Sequence, residues 1–131
     1  MTGDGGTRLK PISIQRGEVV LPLMTKMREK GITEELKNFL KGLPSMIRQN
    51  GLGQTIAFLR TKEDKKEIAD ILANVLMGNG KNSKDLINGI LNSDVKRYII
   101  MQREAIEYAG WIKRFAIAFY NEGGYGVTTS E

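Results

Sequence analysis

Cysteine and histidine are both absent from the 131 residues, and these two zeros exclude more chemistry than any motif in the chain supplies. Disulfide frameworks, Cys/His zinc sites, thiol nucleophiles and every mechanism that relies on imidazole fall away. An enzyme built from this chain would have to work with carboxylates, lysine, tyrosine, serine or threonine. Long apolar runs are missing too: nothing approaches the roughly 18 residues that suggest a membrane span. The opening MTGDGGTRLK lacks the apolar block of a signal peptide, so a cytoplasmic location without membrane contact is expected. The remaining absence is local. From Leu36 to Lys62 there is no acidic residue, while Lys37, Lys41, Arg48, Arg60 and Lys62 all fall in that stretch.

What is present is ordinary in amount and uneven in placement. With 40% apolar and 27% charged residues the composition is that of a globular protein rather than a disordered one. A chain of this length fits a single domain, 1–131, that buries about two-thirds of the surface its unfolded form exposes. The net charge is +5, from 20 basic and 15 acidic residues, and the five basic residues between 36 and 62 account for the whole excess. A solvated face normally mixes the two signs, so this stretch suits a polyanionic partner.

Hydrophobic spacing predicts helices almost throughout. Residues 1–10 and 123–131 are rich in Gly, Ser and Thr and are expected to be frayed tails. Ile12, Val19, Val20, Leu23, Met24 and Met27 predict a helix over 12–30 that ends at Gly31, with Pro22 kinking it or delaying its start. Thr33 followed by Glu34 and Glu35 reads as a capped helix start, and Pro44 restarts the chain as a short helix over 43–50. Asn50-Gly51 is a stop signal, after which a helix is expected from Gln54 to Arg60. Thr61 with Asp64 resembles a capping box that opens a helix carrying Ile68, Ile71, Leu72, Val75 and Leu76. Gly78-Asn79-Gly80 ends that helix, Ser83 is expected to cap a short helix bearing Leu86, Ile87, Ile90 and Leu91, and Ser93 to cap a long one over 94–121. On the long helix Met101, Ala105, Tyr108, Ile112, Phe115, Ala116 and Phe119 share one narrow face. Ile106 and Ile117 form a second apolar strip beside Lys113, which suggests contact with another helix or subunit. No strand pattern competes, and the fold class is all-α: a compact bundle of about five to seven helices.

Four candidate sites are set against plainer readings. The glycines of Asn50-Gly-Leu-Gly-Gln54 could present amides to a phosphate, but a phosphate loop needs a preceding strand and a Gly-Lys-Ser/Thr ending, so a helix-to-helix corner is favoured. The run GNGKNSK from Gly78 fails the same test. Glu104 and Glu107, three apart on one helix, are a carboxylate pair whose commoner use is surface solvation; no metal site and no cofactor are expected. Trp111 and Tyr120 could stack on bases, yet beside the buried stripe they read as packing residues.

Two blocks together carry a family resemblance: LPSMIRQNGLGQTIAFLRTK (43–62) and REAIEYAGWIKRFAIAF (103–119). The first pairs Leu-Pro with an Asn-Gly-Leu corner, Gln-Thr and Ala-Phe-Leu; the second pairs Glu-Ala with Trp, a basic pair and Phe-Ala. In that order they resemble the small subunit of the type III-B CRISPR effector, the Cmr complex. Gln15-Arg16 is a weaker match, because the family continues with Ala where this chain has Gly17.

The resemblance implies an all-helical domain without catalytic activity of its own. Copies would self-associate into a short filament along the duplex of guide RNA and target RNA, beside other CRISPR effector subunits that cleave the target. A basic face would contact RNA, and binding through phosphates would accept any sequence. Carried onto this chain, Lys113, Arg114 and Lys62 match family positions, and Asn50, Gln54 and Thr55 form the corner. Arg48 and Arg60 join the RNA-binding set on the local charge argument alone. Ile106 and Ile117 are the expected subunit interface. The alternative reading is a helical protein–protein adaptor whose basic face meets an acidic partner.

Overall fold

Five shorter helices pack against one long helix near the end of the chain, and a sixth packs on two of them. The computed structural model describes residues 10–124. Among these it has seven α-helices and no strand: α1 (Ile12–Lys30), α2 (Glu34–Lys41), α3 (Leu43–Asn50), α4 (Leu52–Arg60), α5 (Lys66–Met77), α6 (Ser83–Leu91) and α7 (Val95–Phe119). A turn with π-type hydrogen bonding, Tyr120–Gly124, follows α7 and is kinked at Gly123, where φ is +91°. The tails expected at 1–10 and 123–131 fall outside the described residues, apart from Lys10, Gly123 and Gly124. No helix among the described residues is long and apolar enough to cross a membrane.

The apolar face of α7 is the centre of the core. Met101, Ala105, Ala109, Ile112, Ala116 and Phe119 are buried along it, and α1, α2, α3, α4 and α5 all pack against this helix. Three of these six residues are alanines, which let neighbouring helices approach closely. Gly17 on α1 does the same from the other side: a Cβ there would stand 3.0 Å from the Trp111 ring. The ring therefore lies on the backbone of α1. Trp111, Phe115 and Phe119 continue as a stack along α7, with centroids 5.4 and 5.9 Å apart. Arg28 from α1 lies 4.7 Å from the centroid of Phe119. Trp111 is thus a packing residue, as its spacing suggested.

Helix α1 begins at Ile12 and runs unbroken through Pro22, so the late start does not occur. Pro22 is on the exposed side, where the carbonyl deprived of its amide partner can turn to water. The buried face is Gly17, Val20, Met24 and Met27, whereas Ile12 and Val19 lie at 64% and 44% exposure on its flank.

Several helix starts differ from expectation, each for a local reason. Asn82, not Ser83, caps α6: its side chain accepts from the Asp85 amide while Asp85 accepts from the Asn82 amide, a complete capping box. Ser83 is already helical, and its amide donates to Asp70 Oδ1 on α5 at 2.8 Å. Asp94, not Ser93, caps α7 by accepting from the Arg97 amide, because the Ser93 hydroxyl is turned back to the Gly89 carbonyl at 2.6 Å. Thr61 does not open α5. Its backbone is helical (φ −84°, ψ −8°), unsuited to an N-cap, and its hydroxyl donates to the Phe58 carbonyl to close α4. Helix α7 ends at Phe119, two residues early, where the chain widens into the π turn.

The corner between α3 and α4 shows how tertiary contact changes a helix boundary. Gly51 has φ +88°, a conformation other residues adopt with strain, and its amide closes α3 on the Ile47 carbonyl. Helix α4 then begins at Leu52, two residues before the expected Gln54. Its first amides are orphans within the helix and find partners on α7: Leu52 N–H donates to Gln102 Oε1 at 2.9 Å, and Gly53 N–H to the Tyr98 hydroxyl at 3.2 Å. Buried Thr55 completes the turn by donating to the Gly51 carbonyl at 2.8 Å. The glycines are thus held against α7, and the amides a phosphate would need are already bonded.

A second polar link joins α1 to α7. Arg16 meets Glu104 in a two-pronged pair, Nε to Oε1 at 3.0 Å and Nη2 to Oε2 at 2.8 Å. The hydrogen bonds from Arg16 hold the Glu104 carboxyl below its usual range and raise the guanidinium in turn. Next to them Tyr108 is pushed up by burial and by the charge of Glu104.

The polar links to α7 set the stability of three variants. Gln102→Leu leaves the Leu52 amide buried without an acceptor and is expected to cost about 1–3 kcal/mol, read as a lower urea midpoint at unchanged slope. Tyr98→Phe, which removes a longer bond to a half-exposed amide, should cost less. For Glu104 the sign is set by its depressed folded pKa. The pair stabilises the fold above the unfolded glutamate pKa of about 4.3 and loses that contribution as pH falls through the lower folded value. Glu104→Gln should therefore trail the wild type at pH 7, and the gap should narrow as pH falls through the depressed folded value.

Candidate nucleic-acid interface

The sequence offered Arg48, Arg60, Lys62, Lys113 and Arg114 as one basic set, but the fold divides it. Arg48 and Lys41 come from the acid-free stretch, on α3 and at the end of α2. Packing α3 against α7 brings them to Lys113 and Arg114, and with Pro44, Ser45, Ile106, Glu107 and Gly110 they line one cleft of about 330 Å³. Arg60, the last residue of α4, and Lys62, just beyond it, do not line it.

Local structure explains how each cation is presented. Pro44 in the first turn of α3 lacks an amide that would be unpaired there in any case, so the short helix starts cleanly. Ile47 and Leu43 are fully buried, which fixes α3 and leaves Arg48, one residue after Ile47, exposed. On α7, Arg114 follows the buried Ile112 by two positions and is exposed, while Lys113 is half-buried. Gly110, one turn earlier, makes room for the Arg114 guanidinium: a Cβ there would lie 3.2 Å from Nη1. Arg114 also stands 5.8 Å from the Trp111 ring centroid, at the outer range of a cation–π contact.

Electrostatically the cleft is a concentration of charge with little to neutralise it. Among the described residues none of Lys41, Arg48, Lys113 and Arg114 forms a salt bridge. Glu107 is the one carboxylate in the lining. Its neighbour Glu104 is hydrogen-bonded to Arg16, whose guanidinium also feels the charge of Glu107. No group of three or more potential metal ligands occurs among the described residues. Four cations around a shallow opening can hold a run of phosphates, and the rigid helices beneath them lower the ordering cost of doing so.

Ile106 and Ile117, the expected subunit contacts, are both half-buried; Ile106 packs partly on the core and lines the cleft. The structure adds more exposed apolar residues than these: Leu91 and Val95 at 76%, Ile99 at 50% and Ile100 at 51%. On the 100° helical wheel Val95 and Ile99 continue the line of Ile106 and Ile117 along α7. Their exposure is not legible in the sequence, because it depends on which residues of α7 the other helices cover. Lys41 was also missed as a site residue, although it stood in the acid-free stretch. Tyr120 is engaged rather than open, with Lys37 Nζ 4.2 Å from its ring centroid.

Comparison with known proteins agrees with the fold and both sequence blocks. The family model for the CRISPR-associated protein Cas_Cmr5 matches residues 13–119. The CRISPR system Cmr subunit Cmr5 of Thermus thermophilus is 33% identical over 90 residues, covering 67% of this chain and 77% of that protein. The Cmr subunit Cmr5 of Thermotoga maritima is 32% identical over 111 residues, covering 82% of this chain and 83% of its own. A crystal structure of a Cmr5 family protein from Thermus thermophilus superposes with a TM-score of 0.72 at 27% identity, over 82% of this chain and 98% of that one. With nearly the whole described bundle matched in sequence and in shape, the chain belongs to the Cmr5 family, the small subunits of type III-B CRISPR Cmr complexes.

Proposed function

We propose that this Cmr complex small subunit is a non-catalytic, RNA-facing component that lies along the guide RNA/target RNA duplex in antiviral defence. The observation that carries the reading is the convergence of Lys41 and Arg48 with Lys113 and Arg114 in one cleft. Residues from the first half of the chain and from its last helix meet there with one carboxylate among them. Such a surface binds phosphates without reading bases, which suits a subunit that must accept any target.

Other effector subunits are partners by membership of the complex. Self-association into a short filament is part of the same proposal. The strip of Val95, Ile99, Ile106 and Ile117 on α7 is its contact surface, and the exposed apolar residues at the start of α7 support it. They equally favour the adaptor reading, in which protein contact alone holds the subunit in place. Ribonuclease treatment separates the two: an adaptor stays bound to its partners, whereas an RNA-facing subunit is released or weakened.

The salt dependence of binding tests the cleft directly. With four cations on phosphates, log affinity for single-stranded RNA should fall with log salt at a slope of about −3, using about 0.7 per contact. Lys113→Glu with Arg114→Glu should weaken binding and reduce that slope by about half, while thermal unfolding stays near wild type because neither residue belongs to the core. Unchanged affinity and slope would remove the cleft from the RNA surface.

A further inference from the structure

Arg60 and Lys62, the cations the cleft leaves out, belong to a different surface feature. Phe58 on α4 stacks against Phe39 on α2, with ring centroids 6.1 Å apart and planes inclined by 28°. Phe39 is half-buried, whereas Phe58 is 39% exposed. Each ring has a lysine beside it: Lys65 Nζ is 4.8 Å from the Phe39 centroid, and Lys62 Nζ is 5.5 Å from that of Phe58.

The two lysines are held differently. The Lys65 side chain is only 13% exposed and is anchored to Asp64 Oδ2 at 3.1 Å. Lys62 is exposed and forms no salt bridge among the described residues, and its contact lies near the limit of about 6 Å for a cation–π interaction. Arg60 is likewise exposed and without a salt bridge among them. The ring pair thus carries one anchored lysine and one exposed lysine.

An exposed phenylalanine by itself needs no function. This one has a second ring behind it, a displaceable cation over it and, two residues away, an arginine without a salt bridge among the described residues. Single-stranded nucleic acid sites combine the same parts, a flat apolar surface for a base and mobile cations for the adjoining phosphates. A fully paired duplex offers no open base face inside its length, and an acidic peptide would take up the cations while leaving the ring uncovered. The chemistry that uses all of the parts is that of an unpaired nucleotide.

We propose that Phe58, backed by Phe39 and flanked by Arg60 and Lys62, is a stacking platform for an unpaired base of RNA. The base takes the place of the Lys62 ammonium over the ring, and the ammonium moves to a neighbouring phosphate. The platform rests on the RNA-facing reading above and extends it: the cleft supplies charge, and Phe58 supplies a preference for unpaired nucleotides.

The test uses the full chain with a short oligoadenylate and with a fully paired RNA duplex of equal length, each over a salt series. Phe58→Leu keeps the apolar volume but removes the π face. It should lower oligoadenylate affinity by about 5- to 150-fold, the range for losing one stacked base, and leave duplex affinity and both salt slopes unchanged. Phe58→Trp should retain oligoadenylate binding, and the added indole fluorescence, taken as the difference from wild type, should be quenched by the oligonucleotide. Wild-type affinity in Phe58→Leu, or an equal loss on the duplex, would overturn the platform. Should Phe58→Leu melt early, quenching in Phe58→Trp decides, and no quenching overturns the proposal. Failure of the cleft looks different: reversal of Lys113 and Arg114 would then change neither RNA, while the Phe58 effect remained.

Discussion

Burial of one face of α7 is the constraint on which the rest of the structure depends. Its inward residues alternate alanine with larger side chains, Ala105, Ala109 and Ala116 among Met101, Ile112 and Phe119. Small residues let α1, α2, α3, α4 and α5 come close, and the larger ones fill the spaces between them. The contact of Gly17 with Trp111 is the tightest example, a ring laid on a helix backbone where no Cβ intervenes. Because so many elements share this helix, the position of each along α7 also decides which surface residues become neighbours.

Polar residues of α7 then set the register that burial alone would leave loose. Tyr98 and Gln102 accept the first amides of α4, and Glu104 holds Arg16 of α1. Directional bonds of this kind penalise sliding, since a shift of one turn would leave amides and charges unpaired in partly buried places. Arg114 and Lys113 sit a few turns further along, with no such duty toward another helix. Connectors occupy one half of α7 and the cleft's cations the other, so the basic cleft forms where α3 passes the second half.

The same division explains what was legible in the sequence. Helical periodicity placed Met101, Ala105, Ile112, Ala116 and Phe119 of the buried stripe of α7, although Tyr108 and Phe115 are only half-buried and Ala109 is buried, and it placed the helix ends at Gly31, Gly51 and Gly78, because each signal is a property of a few adjacent residues. Caps were read less well. Ser83 and Ser93 are the expected caps, but their neighbours Asn82 and Asp94 have equal local claims, and the outcome turns on Asp70 and Gly89 taking the serine groups. The start of α4 at Leu52 had no local signal at all, since the acceptor of its first amide, Gln102, lies 50 residues later. The basic set was visible as charge but not as geometry: Arg48 joined Lys113 and Arg114, while Arg60 and Lys62 went to the Phe58 surface.

By itself the sequence determined the fold class, the chemistry ruled out by the absence of cysteine and histidine, and the family, whose two blocks are local patterns. These properties depend on composition and on spacing along a single helix. Tertiary structure alone decided which cations share a cleft, that the glycine corner is closed by α7, that Glu104 is paired with Arg16, and that the end of α6 and the start of α7 expose Leu91, Val95 and Ile99. Each of those is a relation between residues distant in the chain. Such relations come into being only when α7 is buried and the other helices are fixed around it.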